Sequence, residues 1–117
     1  MEDFPEFMKT TENAISASLQ SKGVEGWIYD GIDGKQMAYW KCHVDGMSDE
    51  HVHDFDEYFV VVQGVYTVII DSKKYPVTAG QEYFIRKGVA HAGEFIAGTR
   101  TIHCFGGQRA KRAVLAM

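Results

Sequence analysis

From Gly46 to Gly64 the chain reads GMSDEHVHDFDEYFVVVQG, and this stretch decides both the fold and the chemistry. His51 and His53 stand two residues apart, so on an extended strand their side chains share one face. Glu57 follows four positions later and returns to that face if the chain stays regular. Two imidazoles and a carboxylate aimed at one point suit a first-row divalent metal, Fe, Mn, Ni, Co, Cu or Zn, without choosing among them. A carboxylate beside a valine-rich strand is costly to bury unless a cation compensates it.

The same stretch continues as Tyr58-Phe59-Val60-Val61-Val62, apolar at every position, which predicts a strand covered on both faces. One face lines the interior of a sheet protein. The other requires a cover, supplied by an N-terminal helix or by a second copy of the chain in a homodimer.

Further along, Gly80 to Phe95 reads GQEYFIRKGVAHAGEF and brings a third imidazole, His91, from a different strand after the turns at Gly80 and Gly88. Turn signals recur every several residues elsewhere: Asp30-Gly31, Asp33-Gly34, Asp45-Gly46, Asp71-Ser72, Gly98 and Gly106-Gly107. Short strands rich in Val, Ile, Tyr and Phe fill the gaps, predicting an all-β sandwich or barrel. In one of them Ala38, Trp40, Cys42 and Val44 alternate with Tyr39, Lys41 and His43, so the first set is expected to point inward. At the start, Phe4, Met8, Thr11, Ile15 and Leu19 recur every three or four residues, with Asp3 and Glu6 spaced as a capping pair. That pattern predicts an amphipathic helix over residues 4–21, ahead of a barrel over residues 25–107.

With 117 residues and 45% hydrophobic content, the chain suffices for one core, so residues 1–117 are read as a single domain. A formal charge of -4 with no long basic run argues against nucleic acid as a partner. Met1 to Lys9 carries Glu2, Asp3 and Glu6 and has no basic region leading into an apolar run, so no signal peptide is expected. No apolar stretch is long enough to span a bilayer. Cys42 and Cys104 lack the spacing of a disulfide framework or zinc finger and are expected to pack as small hydrophobes in a reducing, cytoplasmic setting.

At the histidines the chain resembles the cupins. Their first motif runs Gly, five residues, His, one, His, three or four, Glu, six, Gly, and His51, His53, Glu57 and Gly64 follow it. Their second runs Gly, five, Pro, one, Gly, two, His, three, Asn, which Gly80, Gly88 and His91 match. Three positions depart: Gly46 lies one residue nearer His51 than the motif asks, Arg86 replaces the proline, and Phe95 replaces the asparagine. None of these removes a ligand. The resemblance covers Trp40 to Phe105 and implies a jelly-roll barrel with a ligand cavity, together with one metal held by His51, His53, Glu57 and His91.

Around that site His103, if it shares the inward face with Phe105, is the candidate catalytic residue, as proton carrier or substrate contact. A histidine bonded to the barrel wall is its plainer reading. Asp49, Glu50, Asp54 and Asp56 crowd the two histidines and read either as acceptors for the ligand imidazoles or, more simply for most of them, as a solvated acidic loop, and Arg109, Lys111 and Arg112 read as a solvated basic tail. An ion with open coordination positions takes part in enzyme chemistry on a small molecule, and the resemblance ranks iron-dependent dioxygenase first, with isomerase or lyase also allowed. The alternative is a non-catalytic binding or sensing module.

Overall fold

Nine antiparallel strands form two sheets in the computed structural model, which describes residues 1–16, 21–110 and 112. They are β1 (Val24–Asp30), β2 (Gln36–Cys42), β3 (Gly46–Met47), β4 (Glu57–Gln63), β5 (Val65–Ile70), β6 (Lys73–Thr78), β7 (Glu82–Ile85), β8 (Ala92–Phe95) and β9 (Arg100–Phe105). One sheet has the order β1-β2-β9-β4-β7 and the other β3-β8-β5-β6. This two-sheet arrangement is a jelly-roll barrel, as expected for the chain. Sequence neighbours lie apart where they must: β9 sits between β2 and β4, so the last strand closes over the strand that carries Glu57.

Turn chemistry sets these boundaries. Gly64 turns β4 into β5 at φ 81, and a Cβ there would stand 2.4 Å from the Thr99 hydroxyl. That hydroxyl receives the Val65 amide and donates to the Val65 carbonyl, so the turn is tied to the segment entering β9. Asp71 and Ser72 both take positive φ, 52 and 64, the geometry of a two-residue hairpin whose twist matches its strands.

The inward faces form the core. Phe59, Val61, Val68, Val77 and Ile85 pack between the sheets toward one end, and Ile15, Ile28, Ala38, Phe105 and Ala110 toward the other. Ala38 and Cys42 are buried as the alternation predicts. Val44 is not: β2 ends at Cys42, the chain bends at His43, and Val44 is left exposed above Gly23.

The helix expected over residues 4–21 does not form in its described part, and residues 17–20 lie outside the described residues. Glu6–Met8 and Thr11–Asn13 are single 3-10 turns, and Ala14 and Ile15 form bridges to Trp27 and Arg112. Asp3 accepts from the Phe4 amide and from Lys9, so it does not cap the Glu6 turn. Burial of Phe4 on the outer face of the sheet, with its ring centroid 5.0 Å from Tyr39 and 6.4 Å from Trp27, overrides the helical periodicity. Arg100 lies 4.9 Å over the Phe4 ring and donates to the Met1 carbonyl, fastening the strap.

This strap leaves part of the outer face exposed. Across β7, β4, β9 and β2 the register places Phe84, Tyr58, Cys104 and Met37 in one row, all exposed. Among the described residues of this chain, none covers the Tyr58–Val62 run over this row. Among the described residues no helix is long and apolar enough to cross a membrane.

Candidate metal centre and cavity

A backbone bridge pairs His51 with His91: each amide donates to the other residue's carbonyl, at 2.9 and 3.0 Å. This bridge brings the two histidine segments together. His53 and Glu57 reach the same point by a different route from the one predicted. The stretch between them is not a regular strand but bends at Asp54-Phe55, and β4 starts only at Glu57. The bend is held by the Gly88 amide donating to the His53 carbonyl at 2.9 Å, by the Lys87 amide donating to the Asp56 carboxylate at 2.9 Å, and by the Gly106 amide donating to the Asp56 carbonyl at 2.8 Å. Arg86, where the motif has proline, closes the turn as acceptor for Val89.

The ligand atoms of His51, His53 and His91 lie within 4.8 Å of one another. Glu57 Oε1 approaches the Nε2 atoms of His53 and His91, at 3.4 Å each. Ligands about 2.0–2.2 Å from a shared ion stand about 3–3.5 Å apart, so these contacts have the right size. His53 Nε2, His91 Nε2 and Glu57 Oε1 are also buried without an aligned hydrogen-bond partner among the described residues. Buried polar atoms left orphaned are costly, and three of them converging on one point fit a cation. The donor set, imidazole nitrogen with one carboxylate oxygen, fits a first-row divalent metal.

The tautomers are set for this. His51 Nδ1 is 2.8 Å from the Asp49 carbonyl and His91 Nδ1 is 2.9 Å from the Val89 carbonyl. A carbonyl only accepts, so Nδ1 carries the proton in both rings and Nε2 presents its lone pair inward. For His51 the partner is the backbone of Asp49 rather than one of the acidic side chains proposed from sequence. His53 stacks on Phe55 with centroids 4.8 Å apart and planes 11° apart, which fixes its ring by packing.

His103 shares the inward face with Phe105 and is buried. Its Nδ1 lies 2.8 Å from Glu57 Oε2 and its Nε2 lies 2.9 Å from the Thr101 hydroxyl. Both ring nitrogens are engaged. His103 thereby occupies the Glu57 oxygen that turns away from the histidines and leaves the other oxygen facing them.

Electrostatics follow from this arrangement. Burial alone would push the Glu57 carboxyl up, but His103, His53 and His91 outweigh it and hold the carboxyl well below the usual range. Burial pulls His91 down, yet the Glu57 carboxylate and the Val89 carbonyl raise it above its ordinary 6.5. His51 lies lower than 6.5, mainly through burial and then through the positive neighbours His91, His53 and Arg109, against the Asp49 carbonyl.

His51, Glu57 and His103 open on a cavity of about 90 Å³. Its polar wall includes His51, Glu57, His103, Tyr66, Ser48 and Arg109, and its apolar wall Trp40, Phe95 and Phe105. Tyr66 crosses Gly93 to reach it; a Cβ at Gly93 would stand 2.0 Å from the Tyr66 hydroxyl. Cys42 also lines the cavity, with its thiol pushed up to about 12 by burial, which disfavours the nucleophilic thiolate. Cys42 and Cys104 are both free. Arg109 contradicts its reading as part of a solvated tail. No periodicity marks it, because it follows the last strand and is placed by Gln36, which accepts its amide at 2.6 Å.

The family profile described as Cupin domain matches residues 38–105. No curated protein matches the chain. Among solved structures, an RmlC-like cupin from Shewanella frigidimarina is similar with a TM-score of 0.69 at 19% identity, over 90% of this chain and 93% of that one. KdgF from Halomonas sp. is similar with a TM-score of 0.68 at 19% identity, over 76% and 83%. The polyketide cyclase RemF from Streptomyces resistomycificus follows at 0.64 and 15%, over 81% and 74%. At these identities the structures speak for the fold, and the profile, matching more than half of the chain across both histidine segments, speaks for the family: the chain belongs to the cupins.

Proposed function

We propose that this cupin is a divalent-metal-dependent enzyme acting on a small molecule, with iron-dependent dioxygenase chemistry as the leading assignment. The observation that carries the metal is the convergence of three buried, unpartnered ligand atoms, His53 Nε2, His91 Nε2 and Glu57 Oε1, beside His51. When bound, a first-row ion supplies Lewis acidity and, as iron, a path to dioxygen.

The residues around it do the rest. His51 and His91 hold their donor nitrogens inward through their carbonyl bonds, and His103 orients Glu57. Trp40, Phe95 and Phe105 give the cavity an apolar wall. Isomerase and lyase reactions need a group that moves a proton. His103 has both nitrogens occupied, and Tyr66 has its hydroxyl pushed up by burial and so kept protonated, so neither offers a free base. This favours oxidation over isomerisation. The same feature favours the second reading, a binding or sensing module in which the site holds a small molecule without turnover.

The reading includes two further points. The exposed row Phe84, Tyr58, Cys104 and Met37 supports a homodimer through that face, and two free cysteines support a reducing, cytoplasmic setting. Oxygen uptake tests the enzyme assignment: iron-loaded protein is presented with a panel of small carboxylic acids and thiols in an oxygen electrode. Uptake abolished by His51→Ala supports a dioxygenase, whereas tight ligand binding with no uptake supports the binding module.

A further inference from the structure

We propose that Arg109 is the anion-binding residue of the cavity and that its ligand is a small carboxylate whose other end reaches the metal position. The inference rests on the metal reading above. Its own evidence is the way the chain places a guanidinium that no other described residue uses.

Gln36 is buried in β2, and its side chain is spent on this segment: Oε1 accepts from the amides of Arg109 at 2.6 Å and Ala110 at 3.1 Å, while Nε2 donates to the Ala110 carbonyl at 3.1 Å. On the far side, Arg112 is fastened to Asp30 and Asn13. The backbone at Arg109 is thus held from both directions, and its side chain joins the wall that also contains His51 and Glu57.

Arg86 is exposed to solvent, and the two remaining arginines of the described residues have partners. Arg100 donates to Gln63 and the Met1 carbonyl, and Arg112 pairs with Asp30. The Arg109 guanidinium makes no hydrogen bond or ion pair among the described residues. Glu57 does not serve it, because Oε2 takes His103 and Oε1 faces the imidazoles. A half-buried guanidinium with no ion-pair partner among the described residues leaves its hydrogen-bonding fork available to a ligand carboxylate.

Charge agrees. A divalent ion on three neutral imidazoles and one carboxylate leaves one positive charge, and Arg109 adds a second at the same cavity. The planar guanidinium fork matches a carboxylate through two parallel hydrogen bonds. The aromatic walls and a volume of about 90 Å³ restrict the body to a few heavy atoms.

The test uses the cobalt(II)-loaded full chain, titrated with pyruvate and with its uncharged isostere pyruvamide and followed by the visible absorption of the ion. Wild type is compared with Arg109→Gln and Arg109→Lys, and cobalt affinity is measured for each. The expected result is unchanged cobalt affinity, pyruvate affinity lower by about 10- to 100-fold in Arg109→Gln, partial retention in Arg109→Lys, and equal pyruvamide binding throughout. Because the guanidinium has no partner among the described residues, the thermal midpoint should not move. Equal pyruvate affinity in wild type and Arg109→Gln, or no pyruvate binding to the cobalt form, overturns this inference and leaves the metal site standing. Failure of wild type to take up cobalt overturns both.

Discussion

Phe95 occupies the space that any side chain at Gly46 would need: the two residues pair across β3 and β8, and a Cβ on Gly46 would lie 2.8 Å from the Phe95 ring. These are two of the three positions at which the chain departs from the cupin motifs. They depart together because they touch. A glycine one residue early lets an aromatic stand where the motif has asparagine, and the ring then stacks beside Tyr66 at the cavity wall.

Substituting either residue should reveal the coupling. Gly46→Ala is expected to cost about 1–3 kcal/mol by overpacking, and Phe95→Ala about 3 kcal/mol by leaving a cavity. The double variant should lose less than the two costs added together, read from urea midpoints of the metal-free protein. Strict additivity would mean that the contact is not felt.

His103→Ala removes the donor to Glu57 Oε2 and frees the carboxylate to rotate away from the histidines. Metal affinity should fall by about 10- to 100-fold, the usual cost of losing a partner that orients a ligand. Competition against a chromophoric chelator measures it. An unchanged affinity would show that Glu57 is placed without His103.

Metal affinity should also weaken as pH falls, since protons compete for the same nitrogens. His91 is raised above its ordinary 6.5, so a proton is held there at pH values where a free histidine has lost it, and the weakening should begin above 6.5. His51 is shifted the other way and protonates at lower pH than His91. For folding of the metal-free chain, a raised His91 contributes stability below 6.5 that is lost as pH rises through its folded value, while Glu57, held low, contributes stability above 4.5 that is lost only in strong acid. Chelator titrations and urea melts at a series of pH values check both signs.

Phe84→Asp puts a charge into the exposed row on β7. If a second copy covers that row, sedimentation should shift from dimer to monomer while the metal affinity stays as it was. A dimer that survives the substitution places the interface elsewhere.

Much of the site was legible because its residues are chemically unusual for a barrel strand: two histidines and a buried carboxylate beside valines, with a third histidine framed by glycines. The strands were legible from turn residues such as Asp71-Ser72 and Gly64. The N-terminal helix was misread since periodicity reports where apolar side chains recur, not what they pack on. Phe4 found Tyr39 and Trp27 from a non-helical backbone. The bend at Asp54-Phe55 was hidden because spacing alone cannot tell a strand from a kinked segment tied down by Gly88 and Gly106. Arg109 was missed because a residue 73 positions earlier, Gln36, helps to place it.

The central claim is one metal ion held by His51, His53, Glu57 and His91, and elemental analysis of protein purified without a chelating tag tests it most directly, run beside His51→Ala. The account predicts about one equivalent of a first-row transition metal, iron foremost, in the wild-type chain and its loss in the variant. No metal in the wild-type chain, even after reconstitution with iron, manganese, nickel and zinc, would contradict it.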